Sequence, residues 1–422
     1  MPPLAGKDMS LLILPALAFP SPHSSLKSAY NITLDTLLPS LVSKDSLKDD
    51  SLARIDIAVV LSDSYPLSSK SPRASAFAAY QLLFSSVYSL VVSSAAKVSI
   101  DLDFPGGLDV RVFVLEPRLS SLPPGVAGKQ PLAGPIVDIT TFVKSSRPYR
   151  TIYSVDGESG EQALKQLVTA YNSINISPSP MERLPSGPAI STSSSTSKPS
   201  ESVIDDRPLQ SHTSVAVGGT FDHLHIGHKL LLTGTILAAE PSSTGSPRLI
   251  TVGITGDELL VNKKYGNVVE SWDSRQQRTA EFVESILTFH HDVPSIRSVQ
   301  QINEPGPNGR VVRVTYSTTT TTSPTDEITI NYTKISDPFG PTITDENISA
   351  LVISAETRAG GNAVNDKRGE KGWKALEVFE VDVLDAGAGD GDETGVKEVK
   401  KGFDSKISST EIRRRFAERL PQ

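Results

Sequence analysis

The feature that most constrains this chain is a junction near its midpoint. Ser214 to Val217 is a short apolar run suited to a buried strand. It breaks at Gly218-Gly219, passes through the polar turn Thr220-Phe221-Asp222-His223-Leu224-His225-Ile226-Gly227-His228, and continues into a helix-forming stretch from Lys229 to Ala239 that Pro241 stops. Strand, glycine turn and helix in that order bring backbone N–H groups and a helix N-terminus to one spot, a geometry that suits an anion. Three of the seven histidines, His223, His225 and His228, fall in this turn. Imidazoles beside a helix N-terminus can donate hydrogen bonds to phosphate oxygens and to the charge that develops in phosphoryl or nucleotidyl transfer. The i, i+2, i+5 spacing could also hold zinc, but no carboxylate or thiolate follows at a familiar ligand spacing. A purely structural turn accounts for the glycines and one histidine, not for three.

Composition bounds the rest. A chain of 422 residues suggests two or three domains. Its formal charge of −7 argues against nucleic acid or an anionic membrane as the main partner. With no cysteine, disulfides, thiolate nucleophiles, iron–sulfur clusters and thiolate zinc sites are excluded. No uninterrupted apolar run reaches the roughly 18 to 20 residues that a bilayer crossing needs, so no spanning helix is expected. The run Leu11 to Phe19 after Lys7 resembles a short signal sequence, but Pro15 interrupts it and a buried strand followed by a turn explains it equally well. A cytoplasmic protein is expected.

The chain changes character between Asn175 and Ser211, where Ser, Thr and Pro dominate and large apolar residues nearly vanish; such a stretch cannot offset its ordering entropy. The reading is therefore an α/β N-terminal domain over 1–174, a flexible linker over 175–212 and a separate domain over 213–422. The first half carries strand-like runs at Ile55 to Leu61 and Val110 to Leu115. Its helix-like segment, Ala74 to Ala96, repeats Phe77, Tyr80, Phe84, Tyr88 and Val91 at spacings of three and four. No chemical motif appears there, and Gly106-Gly107 signals only a turn. In the second half, Asn303 to Thr325 and Ala386 to Lys401 read as surface insertions.

The residues Gly218 to Lys229, GGTFDHLHIGHK, resemble the H-x-G-H signature of the nucleotidyltransferase superfamily. Within it they look most like the eukaryotic and archaeal pantetheine-phosphate adenylyltransferases. Three further segments are similar in the same order: VGITGDELLVNKK (Val252 to Lys264), VISAETRAGGNAVNDKR (Val352 to Arg368) and ISSTEIR (Ile407 to Arg413). The resemblance covers Thr213 to Gln422. It implies a Rossmann-like domain with a parallel sheet that moves AMP from ATP to 4′-phosphopantetheine, giving dephospho-coenzyme A and pyrophosphate. It also implies Mg2+ travelling with the ATP, and other coenzyme A enzymes as partners. The Gly-x-x-x-x-Gly-Lys-Ser/Thr loop of a fused dephospho-coenzyme A kinase is not in the sequence, so that step is expected from a separate protein.

By the same resemblance His225, His228 and Lys263 are the catalytic candidates, with Lys264 beside them. Gly218, Gly219, Thr220 and Phe221 with Ser408, Ser409, Thr410 and Arg413 would hold ATP and phosphate. Asp222, Glu356, Thr357, Arg358 and Arg275 are candidates for substrate binding. The plain readings stand beside these. Asp222 fixing the turn, Arg275 on a helix face, Gly360-Gly361 as a tight turn, and Ser408 with Glu411 as a capping box over a helix from Thr410 to Leu420 are each sufficient by themselves. Two rivals share the signature: a cytidylyltransferase acting on a phospho-alcohol, and a scaffold whose nucleotidyl site is vestigial.

Overall fold

The apolar run Met9–Pro15, every residue of it buried, is the inner strand β1 of a six-stranded sheet. The computed structural model of the chain describes residues 9–16, 19–42, 52–61, 72–117, 131–188, 210–240, 247–304, 309–320, 323–382 and 409–419. After β1 come helix α1 (His23–Leu41), β2 (Ala53–Val60), α2 (Phe77–Lys97, entered through a 3-10 turn at Arg73–Ala76) and β3 (Leu108–Glu116). β4 (Ile136–Asp138), α3 (Ile139–Lys144), β5 (Thr151–Val155), α4 (Glu158–Ser173) and β6 (Met181–Leu184) complete this half. The strand order is β4-β3-β2-β1-β5-β6 with every pairing parallel. Helices cover both faces: Leu12 and Leu14 pack with α1 and α2, Leu11 and Ile13 with α3 and α4. That two-sided burial is why the strands read as continuous apolar runs rather than alternating ones.

β6 begins inside the stretch read from composition as linker. Its four residues pair with β5, Thr33 Oγ1 donates to Pro185 O (2.7 Å) and Gly187 N to Ala29 O (2.8 Å). Backbone hydrogen bonds along a sheet edge order this Pro- and Ser-rich segment with little apolar surface, a signal composition does not carry. Of the assigned linker, residues 189–209 lie outside the described residues.

The second sheet is built from β7 (Ser214–Gly219), α5 (Ile226–Ala238), β8 (Arg248–Thr255), α6 (Trp272–Leu287), the short α7 (Val293–Ile296), β9 (Arg297–Ile302), β10 (Val311–Thr320) and β11 (Ser323–Ile335). β12 (Ala350–Ser354), α8 (Arg358–Glu370), β13 (Glu377–Val381) and α9 (Ser409–Arg419) follow. Its order is β13-β12-β7-β8-β11-β10-β9; the first five strands are parallel, and β10 and β9 add antiparallel. Much of the stretch read as an insertion from 303 is thus an edge hairpin: alternating residues such as Val312, Val314 and Tyr316 are buried. The second assigned insertion, 386–401, lies outside the described residues.

The two sheets share one hydrophobic cluster, in which Leu12, Tyr80 and Phe84 continue into Val217, Leu230 and Val352. The expectation of a separate N-terminal body missed this because α2 is apolar on nearly every side and so needs cover from two directions. One cover is its own sheet; the other comes from α5 and β13, with Phe77 against Phe379 at 4.8 Å between ring centroids. Residues 73–97 have the length and composition to cross a bilayer, but 67% of their most apolar window is buried in this packing, as in the core helix of a two-sided fold. Gly134 marks one close backbone approach of the halves. Its N–H donates to Leu287 O (3.1 Å), and a Cβ there would sit 1.9 Å from Ile286 O.

Candidate active site

β7 is central, with β8 on one side and β12 on the other, all parallel. The chain winds outward from β7 through β8 to β11 and then returns to β7's other flank as β12. The crevice beyond the carboxyl ends of β7 and β12 is therefore a topological switch point, where open α/β sheets bind ligands. Gly218-Gly219, Thr255 and Ser354 all end their strands at this edge.

The turn that leaves β7 is strained and heavily braced. Phe221 (φ +50) and His223 (φ +45) are both left-handed, which for residues with side chains persists only where surroundings over-determine it. Asp222, fully buried, accepts from Glu270 N (2.9 Å) and Arg413 Nη1 (2.8 Å), and Glu270 in turn accepts from His223 N (2.8 Å). The Phe221 ring turns back under Gly219, where an added Cβ would lie 3.0 Å from its Cζ, so a larger residue there would have to displace the ring by a few tenths of an ångström. Asp222 thus fixes the turn, the plain reading of it.

The three histidines divide into two tasks. His223 donates from Nε2 to Val268 O (2.8 Å) and its ring stacks on Phe416 at 4.4 Å, so it locks a loop. His225 is the N-cap of α5 and His228 lies in the first turn; the sequence had placed the helix start at Lys229, one residue after the histidine that the helix carries. Their rings stack at 3.9 Å, and His225 Nε2 is 3.2 Å from Ser409 Oγ on α9. The Nδ1 atoms of both are buried without a hydrogen-bond partner in the protein. Burial holds His225 far below the usual imidazole range, aided by the nearby charges of His228, Lys229 and His223. Burial likewise lowers His228 to about 4 against the pull of Asp222. Two neutral imidazoles with unmatched nitrogens at a helix N-terminus are prepared to hydrogen-bond a ligand oxygen.

The remaining candidates fall on both sides of the line between ligand-facing and structural. Thr220 follows β7 directly, and its carbonyl is held by Arg275 Nη1 (2.6 Å). Lys263 is exposed in the loop after β8, with Lys264 next to it; Lys264 O accepts from Arg413 Nε (3.0 Å). Ser409 and Thr410 open α9 on the histidine side, and Thr410 Oγ1 accepts from Arg413 Nη2 (3.0 Å). Ser408 and Leu420 lie outside the described residues. Glu356 and Thr357 stand at the carboxyl end of β12, where Thr357 Oγ1 donates to Ser354 O (3.1 Å).

Three arginines, Arg275, Arg368 and Arg413, are buried braces. Arg275 is completely buried and its guanidinium donates to Glu270 O, Thr220 O, Thr255 O and Asp257 Oδ1, stitching the exits of β7 and β8 together. With Nε, Nη1 and Nη2 all engaged, it is a brace and not a substrate cation. Arg413 does the same for α9 and Asp222. Arg358 is exposed and ion-paired with Glu380. Arg368, at the end of the third motif, donates to five carbonyls of residues 342–348 and 374. Lys229 was not singled out by sequence, although it directly follows His228. Its ammonium is buried between Asp103 and Asp109 of the first half and also donates to Val110 O (3.1 Å).

Among the described residues no group of three or more His, Asp or Glu side chains is placed to hold a metal ion.

Residues 1–190 match a family described as a domain of unknown function, DUF8446. The chain is 31% identical over 202 residues to an uncharacterized protein of Schizosaccharomyces pombe, covering 48% of each. It is 33% identical over 199 residues to the phosphopantetheine adenylyltransferase of Saccharomyces cerevisiae, 47% of each chain. It is 26% identical over 202 residues to the protein of that name from Pyrobaculum aerophilum, 48% of this chain and 90% of that one. The matched region spans about half the length of the first two relatives.

Proposed function

We propose that the chain is a nucleotidyltransferase that transfers AMP from ATP to 4′-phosphopantetheine, releasing pyrophosphate and leaving dephospho-coenzyme A. The observation that carries the reading is the stacked His225–His228 pair at the N-terminus of α5, with two buried, unpartnered nitrogens beside the double-glycine end of β7. The relatives named phosphopantetheine adenylyltransferase support the same choice of substrates.

In the proposed reaction a phosphate oxygen of the acceptor attacks the α-phosphorus of ATP, the bond from that phosphorus to the bridging oxygen breaks, and pyrophosphate leaves with the electron pair. The nucleophile is already an anion, so no general base or covalent enzyme intermediate is needed. The work is orientation and charge stabilisation. His225 and His228 donate to phosphate oxygens, the α5 N-terminus and the glycine backbone face the same charge, and Lys263 reaches the developing pentavalent centre from the loop after β8. Thr220 positions the acceptor phosphate, with Ser409 and Thr410 on the opposite wall. Magnesium would enter as part of the ATP complex. The reaction is placed in the cytoplasm.

The test is pyrophosphate release by the full chain with ATP or CTP, against 4′-phosphopantetheine, phosphocholine and glycerol 3-phosphate. Release that requires both ATP and 4′-phosphopantetheine is expected. Release with CTP and a phospho-alcohol would replace the substrate assignment, and no release from folded, nucleotide-binding protein would remove the catalytic reading.

A further inference from the structure

The loop between α2 and β3, residues 101–109, carries no motif, yet it touches both the histidine-bearing segment and α9 of the candidate site. It is a rigid piece of backbone. Gly107 N donates to Phe104 O (2.8 Å), Leu108 N to Asp101 O (3.0 Å) and Asp103 N to Leu108 O (2.9 Å). Its tightness needs a glycine, because a Cβ on Gly107 would lie 2.1 Å from Asp101 O.

From this loop Asp103, joined by Asp109 at the start of β3, grips the buried ammonium of Lys229. Lys229 is one residue beyond His228, and its backbone N–H donates to His225 O (2.9 Å) in the first turn of α5. The same loop presents Phe104 to α9. Its ring packs on Phe416 at 4.4 Å, the guanidinium carbons of Arg415 and Arg419 lie 4.6 and 4.2 Å from its centroid, and Asp101 pairs with Arg415 (2.5 Å). Phe416 in turn stacks on His223. Two elements far apart in sequence, the histidine-bearing turn and the hydroxyl-bearing helix, are thus referred to one fixed surface supplied by the other half of the chain.

We propose that loop 101–109 is a positioning platform for the transfer site, with Lys229 its positioning residue: it sets the separation of the His225–His228 pair from Ser409 and Thr410 on α9. This gives the N-terminal half a role in the reaction, and it rests on the functional reading above for its kinetic part only. The platform contributes no group to the substrate. It governs how well the groups that do are aligned, and small misplacements of such groups cost rate far more than they cost binding.

The experiment uses the full chain with Lys229→Met and, because that change strands two buried carboxylates, Phe104→Leu measured beside it. The readouts are the imidazole C–H resonances, assigned by His225→Gln and His228→Gln, and the split of kcat from KM for ATP. In folded variants the expected result is a shift of the His225 and His228 resonances with His212, His290 and His291 unmoved, a tenfold or larger fall in kcat and a KM within threefold of the parent. Unmoved resonances with kcat within twofold in either folded variant would overturn the platform. Absence of turnover in the parent chain would refute the functional reading instead, and the resonances would still decide this one.

Discussion

His228 ties the architecture of the site to a measurable pH dependence. Burial lowers it from 6.5 to about 4, so the folded chain keeps this imidazole neutral while the unfolded chain takes up a proton below 6.5. A depressed histidine therefore stabilises the fold fully above pH 6.5 and loses that contribution as pH falls toward 4. The span corresponds to about 3 kcal/mol at ~1.4 kcal/mol per unit. Other groups move the opposite way over the same range. Burial raises Glu116 to about 7, against its bond from Tyr80 and the charge of Arg73, and raises Asp103 to about 6 despite Lys229; both favour the fold more as pH falls. The parent curve alone is then uninformative, and the difference between the parent and His228→Gln is the quantity to measure. Gln retains hydrogen-bonding groups without titrating. Urea unfolding at half-unit steps from pH 7.5 to 4 should show the parent's advantage over the variant shrinking by about 3 kcal/mol across the window. Added ATP should reduce this loss, because a bound polyphosphate favours the protonated ring. A difference that stays flat from pH 7 to 4 would refute the claim that this imidazole is held neutral by its surroundings.

Other substitutions separate chemistry from bracing. Lys263→Ala removes an exposed side chain and should leave the urea midpoint unchanged within error while lowering kcat for pyrophosphate release at least tenfold; an unchanged kcat would eliminate Lys263 from the mechanism. Arg275→Leu should do the reverse of a ligand mutation. It leaves Asp257 without its cation and three carbonyls without their donors, so a loss of about 3 kcal/mol in unfolding free energy is expected, and a fully stable variant with raised KM would restore the substrate role. Arg413→Met breaks a buried pair with Asp222 and releases α9 from the Lys264 carbonyl. Amide exchange in residues 409–419 should accelerate by more than tenfold, and unchanged protection would show that α9 is held by other contacts.

What could be read in the sequence was what is local. β7, the glycine turn and α5 lie within 25 residues, and the period of the apolar positions together with Gly218-Gly219 determines their order. The pairing of His225 with His228 follows from i, i+3 spacing on one helix. The division of labour among motif residues was not legible, because it depends on partners far along the chain: Asp222 meets Arg413 across 191 residues, and Lys229 meets Asp103 across 126. A charged residue inside a motif reads as a ligand contact until its partners are known, as with Arg275, whose guanidinium is engaged by Glu270 O, Thr220 O, Thr255 O and Asp257 Oδ1. The linker boundary failed for a different reason, since an edge strand such as β6 is ordered by backbone hydrogen bonds that composition does not record.

The contacts between the halves decide whether they can act as independent bodies. Arg147 of the first half donates to Ser285 O (2.5 Å) and Thr288 O (2.9 Å) at the end of α6, where Gly134 N also caps Leu287 O. Arg248 at the start of β8 donates to Leu132 O (3.3 Å), and Arg73 N to the Glu240 carboxylate (3.0 Å). With Lys229 between its two aspartates, these are buried polar groups that find their partners across the junction. Parting the halves would leave each side with desolvated groups unmatched, at roughly 1–3 kcal/mol for a neutral group and more for a charge. Hinge opening along this junction is therefore disfavoured, whereas α9 buries only Ile412 and Arg413 of its 11 residues. The histidine turn is consequently fixed by the whole chain.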